Sequence, residues 1–119
     1  MASGMKGGVS THVLDLATGK PARGVRVHLE CEEGSARWRA LSVAETDQDG
    51  RCARLLPDDE TLRPGVYRMI FETASYYEPQ KIVSLYAQVE IVFRVREGGE
   101  RFHLPLLLSP NGYTTYRGS

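Results

Sequence analysis

An all-β antiparallel sandwich is the fold class this sequence predicts, and three observations carry it. Apolar and polar residues alternate with a period of two along about eight short stretches. Clusters of Gly, Pro, Asn, Asp and Ser separate those stretches at roughly even spacing. Only one segment breaks the period in favour of a helix. In a chain of 119 residues, many short strands and almost no helix imply two sheets packed around one core.

Residues 1–8 carry one lysine and no apolar run. They do not have the pattern of a signal peptide and are expected to form a disordered leader, with Met5 as a second start. The remainder, 9–119, is expected to be one domain. From Val9 to Leu16, Val9, Thr11 and Val13 share one strand face while Ser10, His12 and Leu14 share the other. His12 therefore points away from the apolar side. The turn formers from Asp15 to Ala22 lead to a second strand, in which Val25, Val27, Leu29 and Cys31 alternate with Arg26, His28 and Glu30.

Trp38 to Thr46 reads as a third strand, its alternation diluted by Ala40, Ser42 and Ala44. Asp47-Gln48-Asp49-Gly50 then predicts a hairpin into a strand over Arg51 to Leu56. The Asp side chains can bond their own backbone there, and Gly50 is free to take positive φ. After a polar connection over 57–65, Val66 to Thr73 forms a strand with Tyr67, Met69 and Phe71 on one face. Between Thr73 and Gln80 the period changes. One or two helical turns are expected there, capped by Thr73 or Ser75 and ended by Pro79.

Ile82 to Tyr86 leads into a strand where Val89, Ile91, Phe93 and Val95 alternate with Glu90 and Arg94. Glu97-Gly98-Gly99-Glu100 predicts a tight hairpin that returns the chain as Arg101 to Leu108. Phe102, Leu104, Leu106 and Leu108 share its buried face, which puts His103 on the other, beside Arg101 and Pro105. Pro105 has no N–H for a ladder and marks an edge or a bulge. Ser109 to Gly112 is the last turn, and Tyr113 to Arg117 the last strand.

Composition limits the partners. Lys plus Arg and Asp plus Glu number 15 each, so no net field draws the chain to nucleic acid or an anionic membrane. Neither is expected as a partner. No stretch approaches the roughly 20 apolar residues of a membrane helix. The two cysteines, Cys31 and Cys52, are too few for a disulfide scaffold. They point to a reducing compartment, with the cytoplasm as the expected location.

His12 and His103 are alike, each mid-strand on the face opposite the apolar stripe. Either they are plain surface residues or they belong to a site. His28, between Arg26 and Glu30 on a wet face, reads as surface. Arg51 follows the Asp-Gly turn, and its rigid guanidinium fork suits a planar, anionic or carbonyl-rich ligand. The terminus stays strand-like to Tyr116 and then adds Arg117, Gly118 and Ser119, whose carboxylate is ionised at neutral pH because α-carboxyls titrate at roughly 3.3–3.7. Two histidines, two arginines and one carboxylate suit acid–base chemistry on a small anion, without a covalent nucleophile. His12 and His103 lack Cys, Asp or Glu at ligand spacing, and Asp47 to Gly50 lacks the further ligands of a calcium loop. No metal and no cofactor are expected. Nucleophile-elbow, phosphate-loop and dinucleotide motifs are absent from the sequence.

Ser10-Thr11-His12-Val13-Leu14-Asp15, Thr18-Gly19-Lys20-Pro21-Ala22, Thr46-Asp47 with Asp49-Gly50-Arg51, Leu104 to Pro110, and Tyr113 with Thr115-Tyr116-Arg117-Gly118-Ser119 together make a pattern. It resembles the 5-hydroxyisourate hydrolases, the transthyretin-related enzymes of urate breakdown, from Val9 to Ser119. The terminal Tyr-Arg-Gly-Ser is the specific part, since it separates these enzymes from hormone-carrying transthyretins. The resemblance implies a transthyretin-like sandwich of two four-stranded sheets with one short helix. It also implies a homotetramer, a dimer of dimers, with sites between the dimers. The implied catalytic residues are His12, Arg51, His103 and Ser119, and the implied substrate contacts are Arg51, Tyr116, Arg117, Gly118 and Ser119. Water would open a ring amide of 5-hydroxyisourate to give a ureido-imidazoline carboxylate. Two departures touch the pocket lining or turn: Asn111, where an aromatic residue is usual, and Arg101-Phe102, where a second histidine is frequent.

Two rivals share the turn chemistry. A transthyretin-like small-ligand carrier would have the same sandwich without needing the terminal Tyr-Arg-Gly-Ser. A structural prealbumin-like repeat would show Gly-Lys-Pro, Asp-Gly-Arg and Pro-Gly-Val-Tyr, as here at Gly19–Pro21, Asp49–Arg51 and Pro64–Tyr67, but would lack His12, His103 and that end.

Overall fold

Strict alternation at the start of the chain produces its central strand. β1 (Gly8–Asp15) buries Val9, Thr11, Val13 and Asp15 and leaves Gly8, Ser10, His12 and Leu14 half-exposed. The computed structural model describes residues 7–119. Of the leader expected over 1–8, residues 1–6 lie outside the described residues, and Gly8 is already the first residue of β1.

The remaining strands are β2 (Lys20–Pro21), β3 (Arg26–Glu32), β4 (Trp38–Glu45), β5 (Arg51–Cys52), β6 (Gly65–Phe71), β7 (Val89–Val95), β8 (Arg101–His103), β9 (Leu106–Ser109) and β10 (Gly112–Thr115). The one α-helix, α1 (Thr73–Tyr77), runs on into a 3₁₀ turn at Glu78–Gln80. β4, β3, β6 and β7 form an antiparallel four-stranded sheet. The second sheet runs β10-β9-β1-β2, with β5 and β8 also paired to β1.

The sandwich is thus as expected, but its second sheet has six short strands rather than four, and it is mixed. β8 and β9 both run parallel to β1. Pro105, which has no N–H to donate, lies between β8 and β9 and divides what alternation alone presents as one strand over Arg101–Leu108. The buried hydroxyl of Thr11 donates to the Leu104 carbonyl at 2.6 Å beside that break. A carbonyl left unpaired there would cost about 1–3 kcal/mol.

Two turns expected to close hairpins instead carry the chain from one sheet to the other. β4 pairs with β3, whereas β5, after Asp47–Gly50, pairs with β1. β7 pairs with β6, whereas β8, after Gly98-Gly99, pairs with β1. The turn chemistry was legible, because Gly50 has φ +76° and the Asp47 carboxylate accepts from the N–H groups of Asp49 and Arg51 at 2.8 and 3.0 Å. A local pattern carries no information on which sheet the next strand joins.

Val9 and Val13 of β1, Val27 and Leu29 of β3, Met69 and Phe71 of β6, and Leu106 and Leu108 of β9 meet in the core. Each such side chain contributes about 1.5–3 kcal/mol on burial. α1 covers one end. Its N-cap is Glu72 with no side-chain cap bond, so neither Thr73 nor Ser75 caps it as expected; Thr73 lies within the first turn and is buried. Tyr76 donates to the Asp15 carboxylate at 2.7 Å, and Asp15 also accepts from the N–H groups of Ala17 and Thr18. This pins the end of β1, and burial with the Asp15 contact pushes the Tyr76 hydroxyl up to about 12. Ile82 to Tyr86 forms no strand, and Val83 and Leu85 are 92% and 67% exposed.

Candidate active site

Three consecutive outward positions of β1 each face a functional residue across a ladder. Gly8 lies opposite Arg101 and Ser10 opposite His103 in the parallel pairing with β8. His12 lies opposite Arg51 in the antiparallel pairing with β5. Side chains directly opposite on one face sit close enough to interact. One strand with a period of two therefore collects two histidines and two arginines on one face.

The chain terminus closes this face. The Gly118 N–H donates to the His103 carbonyl at 2.7 Å, forming an isolated antiparallel bridge. A Cβ at position 118 would lie 2.9 Å from His103 Cδ2 and 3.4 Å from Pro105 Cγ, so only glycine lets the terminus come this near. Ser119 follows into a cavity of about 280 Å³ lined also by Gly8, Ser10, Arg51, Arg101, Phe102, His103 and Gly118. That is near the small end of ligand pockets, which span about 300–1,000 Å³.

Within the cavity His103 is held from one side, its Nδ1 lying 2.8 Å from Ser10 Oγ. Burial first, then the charge of Arg51 and the presence of His12, lower its pKa below the ordinary 6.5. It is a neutral imidazole at pH 7, with one nitrogen able to take a proton. Arg51 is fixed at the root by its backbone N–H, which donates to the Asp47 carboxylate. That contact is the chief cause of Asp47's lowered pKa. Among the described residues no carboxylate forms an ion pair with Arg51 or Arg101, and no three His, Cys, Asp or Glu side chains converge on a metal-sized centre.

The structure thus brings Arg51, His103, Gly118 and Ser119 to one cavity. His12 stands beside them across from Arg51, outside the lining itself. Tyr116 is 53% exposed and does not line this cavity. The Arg117 guanidinium lies 4.0 Å over the Phe102 ring, donates to the Arg101 carbonyl at 3.0 Å and pairs with Glu100 at 3.5 Å. It anchors the terminal segment and faces a neighbouring depression beside Phe93 and Glu97. Phe102, one of the two departures, is buried with the core. Ser10 and Arg101 were not expected as site residues, although Arg101 was noted as a departure from the family pattern. Ser10 is two residues from His12, so the same alternation places it on the site face, but its partner His103 follows only from the parallel register.

A transthyretin-like sandwich with a basic, histidine-bearing cavity at its C-terminus defines the class. The chain belongs to the HIUase/Transthyretin family, whose model matches residues 9–118. It is 44% identical over 111 residues to the 5-hydroxyisourate hydrolase of Salmonella dublin, covering 93% of this chain and 80% of that one. Its fold is similar to that of Klebsiella pneumoniae 5-hydroxyisourate hydrolase, with a TM-score of 0.83 and 35% identity over 95% of this chain and 99% of that one. Sea bream transthyretin, solved in complex with thyroxine, matches at a TM-score of 0.85 with 30% identity, over 92% and 93% of the two chains.

Proposed function

We infer that this chain is an enzyme of urate catabolism that hydrolyses 5-hydroxyisourate to 2-oxo-4-hydroxy-4-carboxy-5-ureidoimidazoline. The observation that carries this reading is the junction of His103, Ser10, Arg51 and the chain terminus around one small cavity. A carrier needs no neutral imidazole held there by a serine and a bridged terminus.

In the mechanism we propose, His103 gives its Nδ1 proton to the hydrogen bond with Ser10, leaving Nε2 as the basic nitrogen. With His12 it positions a water and removes its proton as the oxygen adds to a ring carbonyl. A general base of this kind contributes roughly 10² to 10⁴-fold. Arg51 binds the planar substrate and offsets the charge that develops on the carbonyl oxygen. The Ser119 hydroxyl and carboxylate orient the substrate or a histidine, Gly118 sets their approach, and Arg117 with Tyr116 completes the terminal tetrapeptide.

We further propose that the working form is a homotetramer, a dimer of dimers. Leu16, Val83, Leu85, Tyr86 and Tyr113 are all exposed apolar residues, and β7 and β10 end their sheets with open edges, which supports association between copies. The two free thiols, Cys31 and Cys52, favour a cytoplasmic location. Among the described residues no helix is long and apolar enough to cross a membrane.

The test is an absorbance trace. Urate oxidised in place by a urate oxidase generates the substrate, and its ultraviolet decay is followed with and without the protein. Accelerated decay is expected; an unchanged rate would replace the hydrolase with the carrier. Deleting Tyr116 to Ser119 should abolish the acceleration and leave the β-sheet circular dichroism intact. Light scattering of the intact chain should give the mass of four copies.

A further inference from the structure

We propose that Arg101 is a substrate-binding residue that receives the carboxylate the reaction creates, and that Gly8 is the seat that holds it in place. This rests on the hydrolase reading above.

The geometry comes from the parallel ladder, which fixes Arg101 opposite Gly8. A Cβ built on Gly8 would lie 3.2 Å from Arg101 Nη1, 3.3 Å from Cζ and 3.5 Å from Nη2. Three nearly equal distances mean that the guanidinium lies with its flat face over the Gly8 backbone. Its N–H donors lie in its plane, so this stacking leaves them free to bind a ligand. Gly8 and Arg101 line both the cavity of His103 and an adjoining one of about 350 Å³ that also contains Arg54 and Asp58. The guanidinium therefore stands as a partition between them. No carboxylate among the described residues pairs with it.

The reaction supplies what this fork lacks. Water adds its oxygen to the ring carbonyl carbon, the C–N bond breaks, the nitrogen takes a proton, and the new carboxyl group loses its own at neutral pH. A neutral amide becomes an anion inside a cavity that holds two arginines. Arg51, opposite His12, is placed to meet the developing oxyanion. Arg101, two residues from His103 on the same strand face, is placed to hold the carboxylate by a bidentate pair.

The experiment compares two competitive inhibitors, imidazole-4-carboxylate and imidazole-4-carboxamide, on the intact chain and on Arg101→Gln, Arg101→Lys and Gly8→Ala. The unaltered chain should prefer the carboxylate by about tenfold or more, the size of a hydrogen-bonded charge contact. Arg101→Gln should lose that preference, and Arg101→Lys should regain part of it. Gly8→Ala, which leaves the arginine in place but puts a methyl under it, should weaken it. The double variant should be no worse than Arg101→Gln alone, as for groups acting through one contact. Thermal melts establish that each variant folds. An active unaltered chain whose Arg101→Gln variant still prefers the carboxylate overturns this inference alone. An unaltered chain that neither speeds the decay nor distinguishes the inhibitors overturns the hydrolase reading, and this inference with it.

Discussion

Two histidine-bearing faces of this molecule are built to opposite rules. On the outer face of the four-stranded sheet the histidine and the arginine beside it each have carboxylate partners. His28 lies 2.5 Å from Glu72, and Arg68 reaches Glu30 at 2.7 Å and Glu90 at 3.6 Å while lying over the Trp38 ring. On the face made by β1, β5 and β8, His12, His103, Arg51 and Arg101 gather, and among the residues lining the cavity the terminal carboxylate of Ser119 is the one negative group. The first face sets its histidine against an acid, and the second leaves positive charge open to a ligand. Histidine on a strand face is thus no signal by itself; the difference lies in what sits opposite it.

Four measurements would break or sharpen that contrast. His103→Asn should lower kcat by about 10² to 10⁴-fold without unfolding the sandwich; a variant with nearly full turnover would remove the proposed base. Gly118→Ala comes next. Its methyl group would press on His103 Cδ2, and shifting a reacting group by an ångström costs roughly 100-fold. A crystal structure with His103 unmoved and full activity would separate the terminus from the chemistry.

Ser10→Ala should cost about tenfold, the loss of one hydrogen bond that positions the ring. The pH profile of kcat/KM gives a second readout. His103 has a lowered folded-state pKa, so the basic form, and the stability that goes with it, are fully present above the ordinary value of 6.5. Both are lost as pH falls through the lower folded value. The acid limb should therefore lie below 6.5 and move in Ser10→Ala, and an unmoved limb would assign it to another group. The smallest effect is expected from Glu72→Gln on the other face. The His28–Glu72 pair, with side chains 28% and 32% exposed, should contribute under about 1 kcal/mol, and turnover should not change.

Alternation along β1 was enough to put His12 outside the core, and the Phe102–Leu108 stripe did the same for His103. What alternation could not supply was long-range. Whether β5 and β8 cross to the other sheet is decided by how the two sheets close over the core, and nothing within Asp47–Gly50 or Glu97–Glu100 encodes it. For the same reason alternation gave neither Ser10 nor Arg101 a role at the site. Ser10 and His103 are 93 residues apart in sequence, and only the register makes them neighbours. Arg117 shows the converse, since its place in a terminal motif suggested the cavity, while Phe102 and Glu100 hold its guanidinium elsewhere.

The dependence of the whole site on β1 has a consequence for quality control. Because strand faces alternate with a period of two, a slip of one residue in β1 would turn Gly8, Ser10 and His12 inward and expose Val9, Thr11 and Val13. No partly correct product exists, because the shift that spoils the core also empties the cavity. Turnover per molecule is then a direct readout of correctly threaded protein. A preparation holding misthreaded copies would show them as silent fractions rather than as slower enzyme.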